Sequence, residues 1–107
     1  MILSVRALGE DVDLALHEPD DLNRLKVVIE APDVSSARKV IGHAGHLESH
    51  DVAWLDVGAL RTLSGRSDPE WESRFDAMLR YAAVHGWTSS DGERVRAHCE
   101  WYQSGEP

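Results

Sequence analysis

The chain has 107 residues, of which 19 are acidic and 11 basic, and a formal net charge of −8. This length predicts one domain over residues 1–107. Apolar periodicity divides it into a β-rich half at 1–66 with one or two short helices and a helical hairpin at 67–103. The apolar share of 42% predicts a folded chain, and the single cysteine excludes an internal disulfide framework.

The first half of the chain alternates apolar and polar residues in the manner of β-strands. Residues 2–8 and 12–16 predict a hairpin around a turn that begins at Gly9. Residues 24–29 are rich in β-branched side chains and predict a third strand. A helix that begins near Asp21 is the alternative for this third segment.

The middle of the chain predicts two short helices with a strand between them. Asp33 caps the first helix, whose apolar residues recur at helical spacing until Gly42 ends it. A strand follows at residues 51–57. The second helix begins after Asp56 and ends at Gly65.

The last third of the chain predicts two helices. The spacing from Ser67 to Glu70 is that of a capping box, and the apolar stripe that follows predicts a helix as far as Gly86. The same spacing at residues 90–93 predicts a last helix with Val95, Cys99 and Tyr102 on one face. Two helices joined by about five residues pack as an antiparallel hairpin.

These elements predict an α+β fold. A small, mostly antiparallel sheet from the N-terminal half packs against helices, and the C-terminal antiparallel helical hairpin covers it. The longest aliphatic runs are far too short to cross a bilayer, and the N-terminal residues lack the basic start and long apolar stretch of a secretory signal. A cytoplasmic protein with no membrane partner is expected.

A histidine-rich segment follows the first of these helices. Three histidines lie within eight residues, namely His43, His46 and His50. Neutral imidazoles bind zinc, copper, iron or nickel, so the pattern indicates a site for a divalent transition metal. The fourth ligand stays open among His17, Cys99 and a carboxylate. Because Gly42 and Gly45 indicate a loop, the alternative is a solvated segment without a metal.

Residues 40–47, with two residues between Gly42 and Gly45, resemble the GxxG loop of KH RNA-binding domains. In that family the loop joins two helices and clamps a nucleotide backbone, so the resemblance implies RNA binding. The chain departs from the family because little sequence remains for a second helix, and because His43 and Ala44 stand where the family places a cation. With the acidic balance, these departures predict no nucleic-acid partner.

One thiol and two tryptophans complete the candidate functional residues. Cys99 lies on the apolar face of the last predicted helix, which indicates a core thiol unless the fold brings His85 to it as an activating base. Trp87 and Trp101 are expected to be partly exposed, as aromatic anchors of an interface are.

No catalytic motif accompanies these features, and the sequence leaves open whether the protein is an enzyme. It predicts a small acidic interaction or accessory module with no cofactor, which associates with itself or with a protein partner through the hairpin and its tryptophans. The alternative is a metal-binding protein or small metal-dependent enzyme that uses His43, His46 and His50.

Overall fold

A computed structural model of the chain describes residues 1–102. In this part the protein has a mixed α/β fold, with six strands in one sheet and three helices. The elements in chain order are β1 (Ile2–Leu8), β2 (Asp11–His17), β3 (Lys26–Glu30), α1 (Val34–Ile41), β4 (Gly45–Leu47), β5 (Val52–Asp56), α2 (Val57–Ser64), α3 (Pro69–Val84) and β6 (Arg94–Tyr102).

The sheet has the strand order β2-β1-β3-β6-β5-β4 and mixes parallel with antiparallel pairs. The β1–β2 hairpin is confirmed, with Leu8 opposite Asp11 across a two-residue turn. The prediction of a mostly antiparallel sheet is wrong, because β3 runs parallel to both β1 and β6. The chain makes these parallel pairs by crossing over between distant strands, which local patterning does not reveal.

The predicted C-terminal helical hairpin is also wrong, because the segment assigned to its second helix is the strand β6. Val95 and Cys99 are buried at a spacing of four, which suits both a helix and a strand. Ala97 between them is buried as well, while Tyr102, placed on the same helical face by the prediction, is exposed. The buried residues of this segment therefore recur at every second position, as in a strand. This strand, β6, lies between β3 and β5.

The capping-box spacing at residues 90–93 serves a turn instead of a helix. The Asp91 carboxylate accepts hydrogen bonds from the Ser89 hydroxyl and the Glu93 amide, and Gly92 has a φ of +73°. These bonds lower the pKa of Asp91 from its usual value. The turn reverses the chain, so that the first half of β6 runs antiparallel to residues 87–89 and Val95 pairs with Thr88.

The core lies on one face of the sheet, and the three helices pack against it. Alternate strand residues such as Leu3, Val27 and Leu55 are fully buried there, joined by Trp71 and Phe75 of α3. The two rings of α3 stack with their centroids 4.8 Å apart. The opposite face of the sheet carries mostly polar and charged side chains, many of them paired across neighbouring strands.

For the first three predicted helices, which are α1, α2 and α3, the boundaries agree with the structure within about two residues, but the cap of α3 differs. Asp68, not Ser67, is its N-cap, and its carboxylate accepts a hydrogen bond of 3.0 Å from the Trp71 amide. Strand β4 was not predicted, since three residues carry too little periodicity. No helix in residues 1–102 is both long and apolar enough to span a membrane.

Candidate functional site

A cavity of about 600 Å³ opens beside α3. One wall is the loop between β2 and β3, another is the middle of α3, and the third is formed by Trp87 and the start of β6. Half of the twelve lining residues have aliphatic or methionine side chains, and they are Leu22, Leu25, Ala77, Met78, Ala82 and Val95. The remaining lining residues are Asp20, Asn23, Arg74, Tyr81, Trp87 and Arg96.

Three aromatic rings form a cluster at the rim of the cavity. Tyr81, His85 and Trp87 lie with ring centroids 4.5 to 6.1 Å apart, and the His85 and Trp87 rings are stacked. Tyr81 is 61% exposed and Trp87 is 40% exposed. The cluster forms because Gly86, with a φ of +76°, reverses the chain after α3 and directs Trp87 back along the helix. The Trp87 amide then donates to the Ala82 carbonyl at 2.8 Å.

The lining has three charged residues, one on each wall of the cavity: Asp20 in the loop, Arg74 on α3 and Arg96 on β6. The Asp20 carboxylate accepts a hydrogen bond of 2.6 Å from Arg66, while its contact with Arg74 is 3.5 Å long. Arg74 is therefore held loosely, with about half of its side chain exposed. Arg96 also lines the cavity, and it takes part in none of the ion pairs found within residues 1–102. The lining thus has two arginines against one aspartate in a protein whose net charge is negative.

The loop wall is fixed to the rest of the fold by hydrogen bonds to its backbone. The Trp71 indole donates to the Pro19 carbonyl at 2.9 Å, which joins α3 to the start of the loop. The Met1 nitrogen donates to the carbonyls of Asp21 and Arg24 at 2.5 and 2.9 Å. Because these contacts reach both ends of the loop, the cavity is a formed feature of the fold.

The three histidines proposed as metal ligands do not form a ligand set. No group of three or more histidine, cysteine or acidic side chains within residues 1–102 has the arrangement to hold a metal ion. His43 follows α1, His46 lies on β4, and His50 lies in the next loop, where its ring stacks on Trp101. All three side chains are exposed. Short sequence spacing does not bring them together, because β4 runs between His43 and His50.

The two tryptophans proposed as interface residues lie at different places on the protein. Trp87 belongs to the cavity rim. Trp101 is half-buried, packs against the core and donates to the His50 carbonyl. The Trp87 carbonyl accepts a hydrogen bond from the Arg96 amide, which places Trp87 beside Arg96 of β6. Trp101 lies five residues further along that strand, or roughly 17 Å away. They do not form one continuous contact surface.

Cys99 and His85 do not meet. Cys99 points into the core from β6, opposite Val27, whereas His85 belongs to the exposed aromatic cluster. Burial, together with the nearby Asp51 carboxylate, raises the pKa of the Cys99 thiol to about 11. A thiol in this state is a poor nucleophile, so Cys99 is a core residue.

The segment that resembles a KH loop has a different structure here. Gly42 ends α1 with an ordinary right-handed φ of −57°, and Gly45 begins strand β4. The chain therefore passes from helix to strand without the second helix of that family. Gly45 is glycine because a Cβ there would collide with the Trp54 carbonyl of β5.

Comparison with known proteins gives no family for the chain, since no family model, curated protein or solved structure matches it. The candidate site is therefore identified from the geometry of the structure alone. The sequence predicted that Trp87 is partly exposed but did not predict the cavity, because the walls of the cavity come from three distant segments. Tyr81 was the available signal, as a large aromatic residue outside the apolar stripe of α3.

Proposed function

We propose that the protein is a binding module whose cavity takes a flat apolar ligand that carries an anionic group. The observation that supports it is the cavity of about 600 Å³ with an exposed aromatic rim. Pockets for small organic ligands have volumes of roughly 300 to 1,000 Å³ and combine apolar walls with a few polar groups. The lining described above has both properties.

The apolar part of the ligand is inferred from the walls. Met78 and the loop leucines form an apolar interior, and Tyr81 and Trp87 stand exposed at the opening. Exposed aromatic rings at the edge of a concave surface gain contact area when a flat group stacks on them. A bound ligand would remove the apolar surface of these two rings from water, which favours binding.

The anionic part of the ligand is inferred from the arginines. Arg74 makes only a long contact with Asp20, which Arg66 already holds at 2.6 Å, so its guanidinium is available to a second anion. A guanidinium binds a carboxylate, sulfonate or phosphate through two parallel hydrogen bonds. The excess of arginine in the lining favours an anion even though the whole protein is acidic.

Two matched probes test this function. 1-Anilinonaphthalene-8-sulfonate is a flat anionic fluorophore, and N-phenyl-1-naphthylamine has the same rings without the charge. We expect the sulfonate to bind at least about tenfold more tightly, a difference of about 1.4 kcal/mol. Arg74→Gln should remove most of that difference, while Arg80→Gln, which changes an exposed arginine of α3 outside the lining, should leave it intact.

A second pair of variants tests the location. Ala77 lines the cavity and is exposed at its edge, so Ala77→Phe should block entry and weaken both probes. Ala83→Phe places the same ring on α3 outside the lining and serves as the control. Equal binding by these two variants, or no binding of either probe to the wild-type protein, would contradict the proposal.

A further inference from the structure

Strand β2 is an unusually long edge of the sheet. It has seven residues, and within residues 1–102 it pairs with β1 alone. Edge strands expose a row of unpaired backbone groups that can pair with another strand. The question is which strand fits this edge.

The turn of the β1–β2 hairpin determines which backbone groups face outward. A two-residue turn makes its flanking residues, Leu8 and Asp11, a hydrogen-bonded pair. Hydrogen-bonded and non-hydrogen-bonded pairs then alternate along the ladder. The backbone groups of Asp11 and every second residue after it point to β1, so those of Val12, Leu14 and Leu16 point away from the sheet.

We propose that β2 pairs antiparallel with β2 of a second copy of the chain, about a two-fold axis at Leu14. Leu14 is the middle residue of Asp11–His17, so this register matches the strand over its whole length. It places Leu14 opposite Leu14 of the second copy, and Val12 opposite Leu16 of the second copy. All of these residues have outward-facing backbone groups, which gives three consecutive hydrogen-bonded pairs.

The side chains of β2 are complementary in the same register. Val12, Leu14 and Leu16 share the helix-covered face of the sheet, since their partners in β1 are the buried residues Ala7, Val5 and Leu3. Val12 is 56% exposed in the single chain and would pack on an apolar leucine. On the other face Asp11 lies opposite His17 of the second copy, where a carboxylate accepts a hydrogen bond from an imidazole.

Sedimentation velocity of the full chain tests this pairing. The net charge of −8 opposes association of two copies, so the experiment is run near 0.15 M salt, where charges are screened beyond about 8 Å. A single edge strand buries a small interface, and concentrations of about 10 to 500 µM cover the affinities expected of it. We expect a reversible dimer. A protein that stays monomeric over this range overturns the proposal.

Two substitutions of the exposed Val12 test the interface itself. Val12→Lys places a charge opposite an apolar residue and should weaken dimerisation at least about tenfold. Val12→Thr keeps the β-branched shape and should weaken it much less. Because Val12 is exposed, both variants should fold, which circular dichroism checks. Equal dissociation constants for wild type and Val12→Lys would overturn the proposal.

Disulfide crosslinking tests the register. In a Cys99→Ala background, Leu14→Cys places two thiols on the two-fold axis, within the Cα separation that a disulfide requires. Oxidation should give a crosslinked dimer. Ala15→Cys, one residue away on the other face, should crosslink much less. The opposite preference, or none, overturns the register and the pairing derived from it.

Discussion

At the scale of single residues, burial decides the chemistry of Cys99. The folded protein raises the pKa of this thiol to about 11 from 9.0, first through burial and then through repulsion by Asp51. The folded state therefore binds the thiol proton more tightly than the unfolded state does. This contribution to stability is complete below pH 9 and is lost as the pH rises toward 11.

We expect native Cys99 to resist alkylation. At pH 8 the raised pKa lowers the thiolate fraction about 100-fold relative to an unfolded chain, and burial adds a steric barrier. Mass spectrometry after iodoacetamide treatment, with and without urea, measures the two rates. Equal rates in the two conditions would show that the thiol is accessible in the fold, against the structure.

Individual residues also show what sequence spacing can and cannot establish. The spacing of His43, His46 and His50 suits metal binding, but chain direction after Gly45 separates their side chains. The exposure of Trp87 was predicted correctly from its place beside a helix end. The residues that line the cavity with Trp87 were not predicted, because contact between α3 and a loop some 55 residues earlier leaves no local sequence pattern.

At the scale of elements, hydrophobic periodicity predicted most strands and helices and failed at β6. Its apolar residues satisfy a helix at positions 95, 99 and 102 and a strand at positions 95, 97, 99 and 101. Tertiary structure determines that this segment is a strand, since β3 and β5 provide the backbone partners that a strand needs. Parallel pairing was likewise beyond local reasoning, because it depends on crossovers between distant strands.

The pairing of β4 with β5 depends on the absence of a side chain at Gly45. A Cβ there would collide with the Trp54 carbonyl and lie 2.8 Å from the Leu55 Cα. Gly45→Ala should therefore lower the free energy of unfolding by about 2 kcal/mol or more, because the backbone must shift. Urea denaturation measures this change.

Gly58 provides the matched control for Gly45. It lies in the first turn of α2 with open space around its Cα, so Gly58→Ala should raise the free energy of unfolding by about 0.5 kcal/mol. The same substitution is thus expected to have opposite signs in the two elements. Equal effects would mean that the close approach at Gly45 does not limit the β4–β5 pairing.

At the scale of the whole molecule, Trp71 connects parts of the fold that are far apart in sequence. Its ring is 1% exposed in the core, and its indole nitrogen donates to Pro19 in the loop wall of the cavity. Trp71→Phe should lower the free energy of unfolding by about 1 to 3 kcal/mol, since a partly buried hydrogen bond and packing volume are lost. Urea denaturation provides the value.

Trp54 offers a control for that experiment. It also uses its indole nitrogen, in a bond of 2.8 Å to Glu48, but on the solvent-facing side of the sheet. Trp54→Phe should therefore cost less than 1 kcal/mol, about the net value of an exposed hydrogen bond. If the Trp54 variant proved the less stable of the two, the loop wall would not depend on Trp71.

The position of β6 between β3 and β5 has a consequence for how the chain acquires its structure. The strands β2, β1 and β3 form one half of the sheet and β5 with β4 the other, and within residues 1–102 β6 alone joins the two halves. Since β6 is the last of the six strands to be synthesised, neither half can complete its backbone pairing during the synthesis of the preceding 93 residues. Such late, long-range pairing slows folding. Until β6 is in place, the edges of β3 and β5 stay unpaired, and strands of other chains can pair with them.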